Sequence, residues 1–165
     1  ARMFERDVTA PVQQLVSDML GISSQCQVLA NGVSSYTASQ GYAGALTVQA
    51  QFSTLLTDMK TSITDCNAIS APMSDDDTIV VIDELGPLSS QLESFLDVLR
   101  DKKPIFDSVI LVTSLIKSNL DEFCSSFETL RVCLLNSCSS DYIEVMQGYI
   151  DAVEDNCNVV VPLYG

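Results

Sequence analysis

The sequence predicts an all-α protein, an up-and-down bundle of about five antiparallel amphipathic helices stapled by disulfides. Three observations predict it. Apolar residues recur at three- and four-residue steps along nearly the whole chain. Sustained two-residue alternation is missing, and no Asn-Gly or Asp-Gly sits between two alternating runs. Six cysteines occur, with no histidine at all. A chain of 165 residues fits a single domain over 1–165, large enough to bury a real core.

The first helix is expected from about Asp7 to Ser35. Pro11 is tolerated in its opening turn, and Val8, Val12, Leu15, Met19, Ile22, Cys26, Leu29, Val33 and Tyr36 form its stripe. Ser39, Gly41 and Gly44 mark a turn. A second helix, from about Ala43 to Ile69, faces Ala45, Val48, Phe52, Leu55, Leu56, Met59, Ile63 and Cys66 inward, with Gln49 within that stripe and Ser53 at its edge.

The third helix has the clearest signals. Ser74 is placed to cap it, and Asp75, Asp76 and Asp77 set negative charge at the positive end of its dipole. Ile79, Ile82, Leu85, Leu88 or Ser89, Leu92, Phe95, Leu96 and Leu99 draw the stripe. Gly86-Pro87 interrupts it without shifting its phase, which reads as one kinked helix. Arg100, Lys102 and Lys103 suit a C-terminus; Pro104 is expected to stop the helix and to push Lys103 towards an extended conformation.

A fourth helix takes Val109 to about Asn136, with Val112, Leu115 or Ile116, Leu120, Phe123, Phe127, Leu130 and Leu134 on its dry side. Ser139 and Ser140 are candidate caps for a fifth, carrying Tyr142, Ile143, Met146, Tyr149 or Ile150, Val153 and Cys157. The β-branched run Val159-Val160-Val161, followed by Pro162-Leu163, is expected to leave the helix and pack on the bundle.

Cys26, Cys66, Cys124, Cys133, Cys138 and Cys157 contain no C-x-x-C spacing, and an even count fits disulfides in an oxidising compartment. Axial levels put Cys26 and Cys157 towards one end, Cys66, Cys133 and Cys138 towards the other, and Cys124 between, which trims the pairings without choosing one. The alternative is that some are small buried thiols.

Charge and chemistry exclude several functions. The net charge of −14 repels nucleic acid and anionic membrane surfaces, and no run approaches the ~20 apolar residues of a membrane span. No cofactor is expected. Without histidine there is no serine triad, no cysteine–histidine pair and no zinc finger, so no catalytic or metal-ligating residue is assigned. Asp75-Asp76-Asp77 lacks the alternating ligands and closing glutamate of a calcium loop, and reads as capping.

Three short segments carry a resemblance: Pro72-Met73-Ser74-Asp75, then Leu85-Gly86-Pro87-Leu88, then Lys102-Lys103-Pro104-Ile105-Phe106-Asp107. In this order and spacing the chain resembles the hydrophobic surface-binding protein A family of filamentous fungi, which includes cell-wall galactomannoproteins and their lipid-binding domains. Met73 stands where that pattern has phenylalanine, and six cysteines depart from it.

The resemblance implies a secreted, non-catalytic helical domain, extracellular or in the cell wall. It would enclose a fatty acid or similar amphiphile, or adsorb to hydrophobic surfaces and recruit hydrolases there. The chain begins without an apolar leader and carries no Ser/Thr-rich tail, which fits a mature, free secreted form. A purely structural wall protein or an effector is the third reading, and a homodimer is allowed.

On that reading Phe52, Leu56, Met59, Leu92, Phe95, Leu115, Phe123 and Phe127 would line the guest's chain. No Lys or Arg lies on an inward stripe, so neutral groups must meet its head. The candidates are Gln49 with Ser53, then Tyr36 and Ser89.

Overall fold

The computed structural model describes residues 8–165, and these are helical throughout apart from turns. They form α1 (Ala10–Ser35), α2 (Gly41–Asn67), α3 (Asp75–Asp107), α4 (Val112–Ser137) and α5 (Ile143–Tyr164), with 3-10 turns at Ala38–Gln40 and Ser140–Tyr142. Asp7, the expected start of the first helix, lies outside the described residues. Among them α1 begins at Ala10, with Pro11 in its first turn.

The predicted stripes are the buried faces except at the start of α3, where Thr78 and Val81 are buried and Ile79 and Ile82 only half-buried, and at the start of α5, where Ile143 is exposed. Every inward residue expected on α1 from Val12 to Val33 is at most 1% exposed. Small rotations occur elsewhere. Ser62 rather than Ile63 is buried on α2, and Ile116 rather than Leu115 on α4, where Leu115 is half-buried.

The helices alternate in direction along the chain, as expected, yet chain order does not set who neighbours whom. Thr9 meets Asp77, Ser23 meets Gln91 and Ser34 meets Lys102, so residue numbers rise together and α1 and α3 are parallel. Ser89 with Tyr149 and Leu99 with Tyr164 make α3 and α5 parallel too. Lys60 with Glu122 and Cys66 with Cys133 do the same for α2 and α4. The antiparallel neighbours of the ring are α1 with α2 and α4 with α5, each joined by a short link.

The result is a closed ring in the order α1, α2, α4, α5, α3. Residues 68–74, which include a cis Ala71–Pro72 bond, carry the chain across one end, so α3 docks beside α1 instead of α2. A five-membered ring lets each helix turn one stripe to a common centre, and that satisfies every apolar face at once.

The acidic start of α3 is the knot at that end. Ser74 Oγ accepts from Asp77 N at 3.1 Å, the cap the sequence predicts. Asp77 is itself buried and accepts from Thr9 N (3.2 Å) and Thr9 Oγ1 (2.9 Å). Asp75 accepts from the Ser139 hydroxyl, Ser139 N donates to Thr78 Oγ1 (3.1 Å), and Met73 N donates to Ser137 O (2.7 Å). The aspartates therefore cap one helix and tie α1 and the α4–α5 turn to it.

Three local expectations are corrected. Pro104 does not stop α3, which runs on to Asp107 with Lys103 helical. Phe106, on that last turn, is fully buried against the Tyr36 ring at 5.3 Å, and Lys103 pairs with Asp107 at 2.6 Å; this tertiary burial outweighs proline's local bias. Val159–Val161 does not leave the helix either. α5 continues to Tyr164 because Val160 and Tyr164 extend the buried phase of Val153 and Cys157, and the Tyr164 hydroxyl donates to Leu99 O.

The third correction concerns the cysteines, of which four pair and two stay free. Cys66–Cys133 joins α2 to α4, and Cys124–Cys157 joins α4 to α5. Cys26 and Cys138 are buried free thiols. Cys26 fills a core position on α1 and bonds Gln91 O at 3.7 Å. Burial pushes its thiol up to about 12, so it stays protonated and unreactive.

Candidate functional site

Three rings fill the middle of the helix ring: Phe52 from α2, Phe95 from α3 and Phe123 from α4. Their centroids lie 5.3 Å (52–95), 6.3 Å (52–123) and 5.8 Å (95–123) apart, each pair edge to face. All three are 0% exposed. Edge-to-face contact is the favoured aromatic geometry, and three such rings span a gap that aliphatic side chains would leave between five helices. Met59, Leu56, Leu92 and Phe127 are buried around them. Of the residues expected to line a guest, only Leu115 is not buried.

The polar candidates are dispersed. Tyr36 is buried and donates to Gly41 O (2.9 Å); Ser89 is buried and donates to Tyr149 O (2.7 Å). Both hydroxyl protons hold backbone. Ser53 is exposed, a correction to its place beside the core: at 100° per residue it lies about 130° from the centre of α2's buried stripe. Gln49, about 90° from that centre, is half-buried, and its side chain makes no hydrogen bond among the described residues.

Besides Ser62, Thr78 and Ser137, another buried polar group on a helix escapes the sequence reading. Asn119 lies between Ile116 and Phe123 on α4 and is 7% exposed. The signal was available: it stands three residues after one core position and four before the next.

Two grooves mark the α1–α3 seam and meet at Val98. The larger, about 420 Å³, runs between Gln27 and Ala30 on one side and Pro87, Ser90 and Ser94 on the other. The smaller, about 280 Å³, ends at Ser34, Lys102 and Ile105. The bonds across this seam are partly or fully open to water: Ser23 Oγ to Gln91, Gln91 Nε2 to Gln27 Oε1 (3.1 Å), and Lys102 Nζ to the carbonyls of Ser34 and Tyr36 (2.9 Å each). A third groove, about 490 Å³, flanks the Cys66–Cys133 disulfide and includes Ile69 and Val132.

Low in the bundle, Asp18 on α1 faces acidic α2. Burial, then a carboxyl contact with Asp65, then the charges of Asp65 and Asp58 push Asp18 up to about 6, against the bond from Gln14 Nε2 (3.0 Å). A raised carboxyl means that the folded state binds the proton more tightly, so this contribution to stability is full at low pH and is lost as pH rises through about 6. Asp18→Asn is expected to gain about 1 kcal/mol near pH 7, fading towards pH 4, in thermal melts at the two pH values. A gain equal at both would dismiss the charge account.

Comparisons with known proteins agree with this architecture. The family model described as "Hydrophobic surface binding protein A" matches residues 12–136. No curated protein sequence matches the chain. Among solved structures, AFMP4P in complex with palmitic acid superposes with a TM-score of 0.86 at 21% identity, over 93% of this chain and 99% of that one. Ligand binding domain 2 of Penicillium marneffei MP1 protein, in complex with arachidonic acids, gives 0.80 at 13% identity over 98% and 96%. Domain 1 of that protein, also complexed with arachidonic acids, gives 0.78 at 11% over 94% and 97%. At these identities the likeness shows the fold.

Proposed function

The chain belongs to the hydrophobic surface binding protein A family, and from that premise we propose that it is a secreted, non-catalytic lipid-binding protein that encloses a long-chain fatty acid between its helices. The observation that carries the reading is the ring itself. Five helices turn buried apolar faces on one centre occupied by aromatic rings and a methionine, in a fold shared with chains solved in complex with palmitic or arachidonic acid. Two disulfides and the lack, among the described residues, of a helix long and apolar enough to cross a membrane suit an extracellular protein.

A guest needs a way in, and the cross-links say which wall can move. The disulfides tie α2, α4 and α5 together, and residues 36–40 hold α1 to α2. No disulfide reaches α3. Along α5 it is held by the buried bond from Tyr164 and the part-buried one from Ser89, and at one end Thr9 of the α1 approach holds Asp77; the remaining polar bonds to α1, from Gln91 and Lys102, are open to water and exchange for it at little cost. The α5 side is thus the hinge and the α1 side the mouth, and an outward swing withdraws Phe95 from the central cluster.

Joining Ser23→Cys to Gln91→Cys with a short thiol cross-linker, in a Cys26→Ala background, is expected to slow uptake of cis-parinaric acid about tenfold or more. An unchanged rate would show that the guest enters elsewhere.

The second reading is adsorption to hydrophobic surfaces, and one observation favours it. Ile110 and Leu111, in the α3–α4 turn, are 84% and 66% exposed, and Leu111 holds a φ of 71° that is rare for a branched side chain. One experiment separates the readings. A carrier yields lipid in a one-to-one ratio on solvent extraction or in native mass spectra; an adsorber yields none and is depleted from solution by hydrophobic beads.

A further inference from the structure

We infer that the bundle docks end-on to a lipid bilayer through the end that carries the α3–α4 turn, an inference that rests on the lipid-binding reading above for its purpose. That end brings together the α1–α2 link, the α3–α4 turn and the last turn of α5. Lys102 Nζ reaches Ser34 O there, Thr113 Oγ1 donates to Asp107 Oδ1, and Gly165 lies beside Lys117.

Charge is segregated along the bundle axis. No Asp, Glu, Lys or Arg occurs from Met19 to Thr57, which covers most of α1, the α1–α2 link and the first half of α2. None follows Asp155 on α5. From Asp97 to Asp121, which takes in the end of α3 and the start of α4, four acidic and four basic side chains cancel, with pairs such as Lys103–Asp107 (2.6 Å) and Lys117–Asp121 (2.7 Å) among them. The whole net charge of −14 therefore belongs to the rest of the chain, including Asp75, Asp76 and Asp77 at the opposite end. The average hides a neutral end that can approach a lipid surface while the acidic end is held away from it.

The neutral end also carries the two most exposed large apolar side chains among the described residues, Ile110 and Leu111. Ile105, Leu163 and Tyr42 are exposed at the same end. Leu111 holds a φ of 71°, a conformation that glycine or asparagine adopts with less strain, so neither packing nor backbone geometry accounts for a leucine there. A bilayer accounts for both features. Branched side chains on a protruding turn enter the boundary between headgroups and acyl chains, and the neutral body behind them meets no electrostatic barrier.

The seam between α1 and α3 opens in the same direction. Its smaller groove ends at Ser34, Lys102 and Ile105, on the docked end. End-on docking sets that mouth towards the bilayer, where long-chain fatty acids reside because their tails partition out of water.

The test is flotation of the full chain with phosphatidylcholine vesicles. It compares wild type, Ile110→Ser with Leu111→Gly, and a control, Leu20→Ser with Val145→Ser, which removes as many exposed apolar side chains away from that end. Wild type is expected to bind, the turn variant roughly tenfold more weakly, and the control within about twofold of wild type. Glycine suits the positive φ at 111, so the turn variant is expected to melt close to wild type and to keep its affinity for palmitic acid supplied in solution. Replacing part of the phosphatidylcholine with phosphatidylglycerol is expected to weaken wild-type binding at low salt, because the acidic remainder is repelled.

Equal losses in the turn variant and the control overturn end-on docking, as does a wild type that ignores phosphatidylcholine vesicles. Tighter binding to the anionic vesicles would show attachment led by cations and overturn it as well. Titration of wild type with palmitic acid reads the carrier function separately: if that fails while the vesicle results hold, the carrier reading falls and the docking end stands.

Discussion

Phe123→Ala is expected to destabilise the empty protein by about 3–5 kcal/mol, and the loss is expected to shrink when palmitic acid is present. Phe123 touches both other rings of the central cluster, with centroids at 6.3 Å from Phe52 and 5.8 Å from Phe95, and has no exposed surface. Removing it takes away the transfer free energy of a buried ring and leaves a void in which Phe52 and Phe95 lose their edge contacts. Two disulfides limit how far α4 can move inward to close that void. An acyl chain that occupies the centre fills the space the ring vacated, so ligand-bound and empty variants should differ more in stability than ligand-bound and empty wild type. Urea titrations with and without palmitic acid measure both quantities. A cost below about 1 kcal/mol would show that the cluster is loosely packed. A deficit that palmitic acid leaves unchanged would place the guest outside the centre.

The second large effect is expected from opening the Cys66–Cys133 disulfide. Cys66→Ser with Cys133→Ser should cost about 4 kcal/mol, because the bridge closes a loop with a sequence separation of 67 and so removes much of the unfolded chain's freedom. It also leaves two polar hydroxyls at positions that are nearly dry. In the ring this bridge ties the low ends of α2 and α4, which touch elsewhere through packing and the exposed Lys60–Glu122 pair; an exposed pair of that kind contributes little. Cys26→Ala lacks the loop-closure effect, since that thiol closes nothing. Denaturation midpoints of the two variants should therefore differ widely. Equal midpoints would refute the claim that the cross-link, rather than sulfur packing, supplies the stability.

The fold was legible where local pattern and tertiary demand coincide. The α1 stripe from Val12 to Val33 is the buried face because a 3.6-residue period and a single dry side leave one solution. Ser74 caps α3 as its chemistry requires. The failures occur where a local signal was outweighed. Pro104 and the Val159–Val161 run read as ends, but Phe106 and Tyr164 had core positions to fill one turn beyond them.

The candidate site was legible in its apolar half only as a set of buried residues. Phe52, Phe95 and Phe123 stand at core phases, so their burial follows from spacing alone. The polar half was not. Gln49 and Ser53 looked adjacent to the dry face, yet the angle at which α2 docks leaves the first half-buried and the second in solvent. Asn119 was passed over because an amide inside an apolar stripe reads as an interruption of it, although its phase is that of the core.

By itself the sequence determined that this chain is helical and where most of its dry faces run, since period, capping and composition act within a few residues of one another. Which helices touch, which cysteines pair and which wall is left free were decided only in the tertiary structure. Those depend on how five stripes of unequal width close around one centre, and the free energy of that closure belongs to the whole ring, with no single segment carrying it.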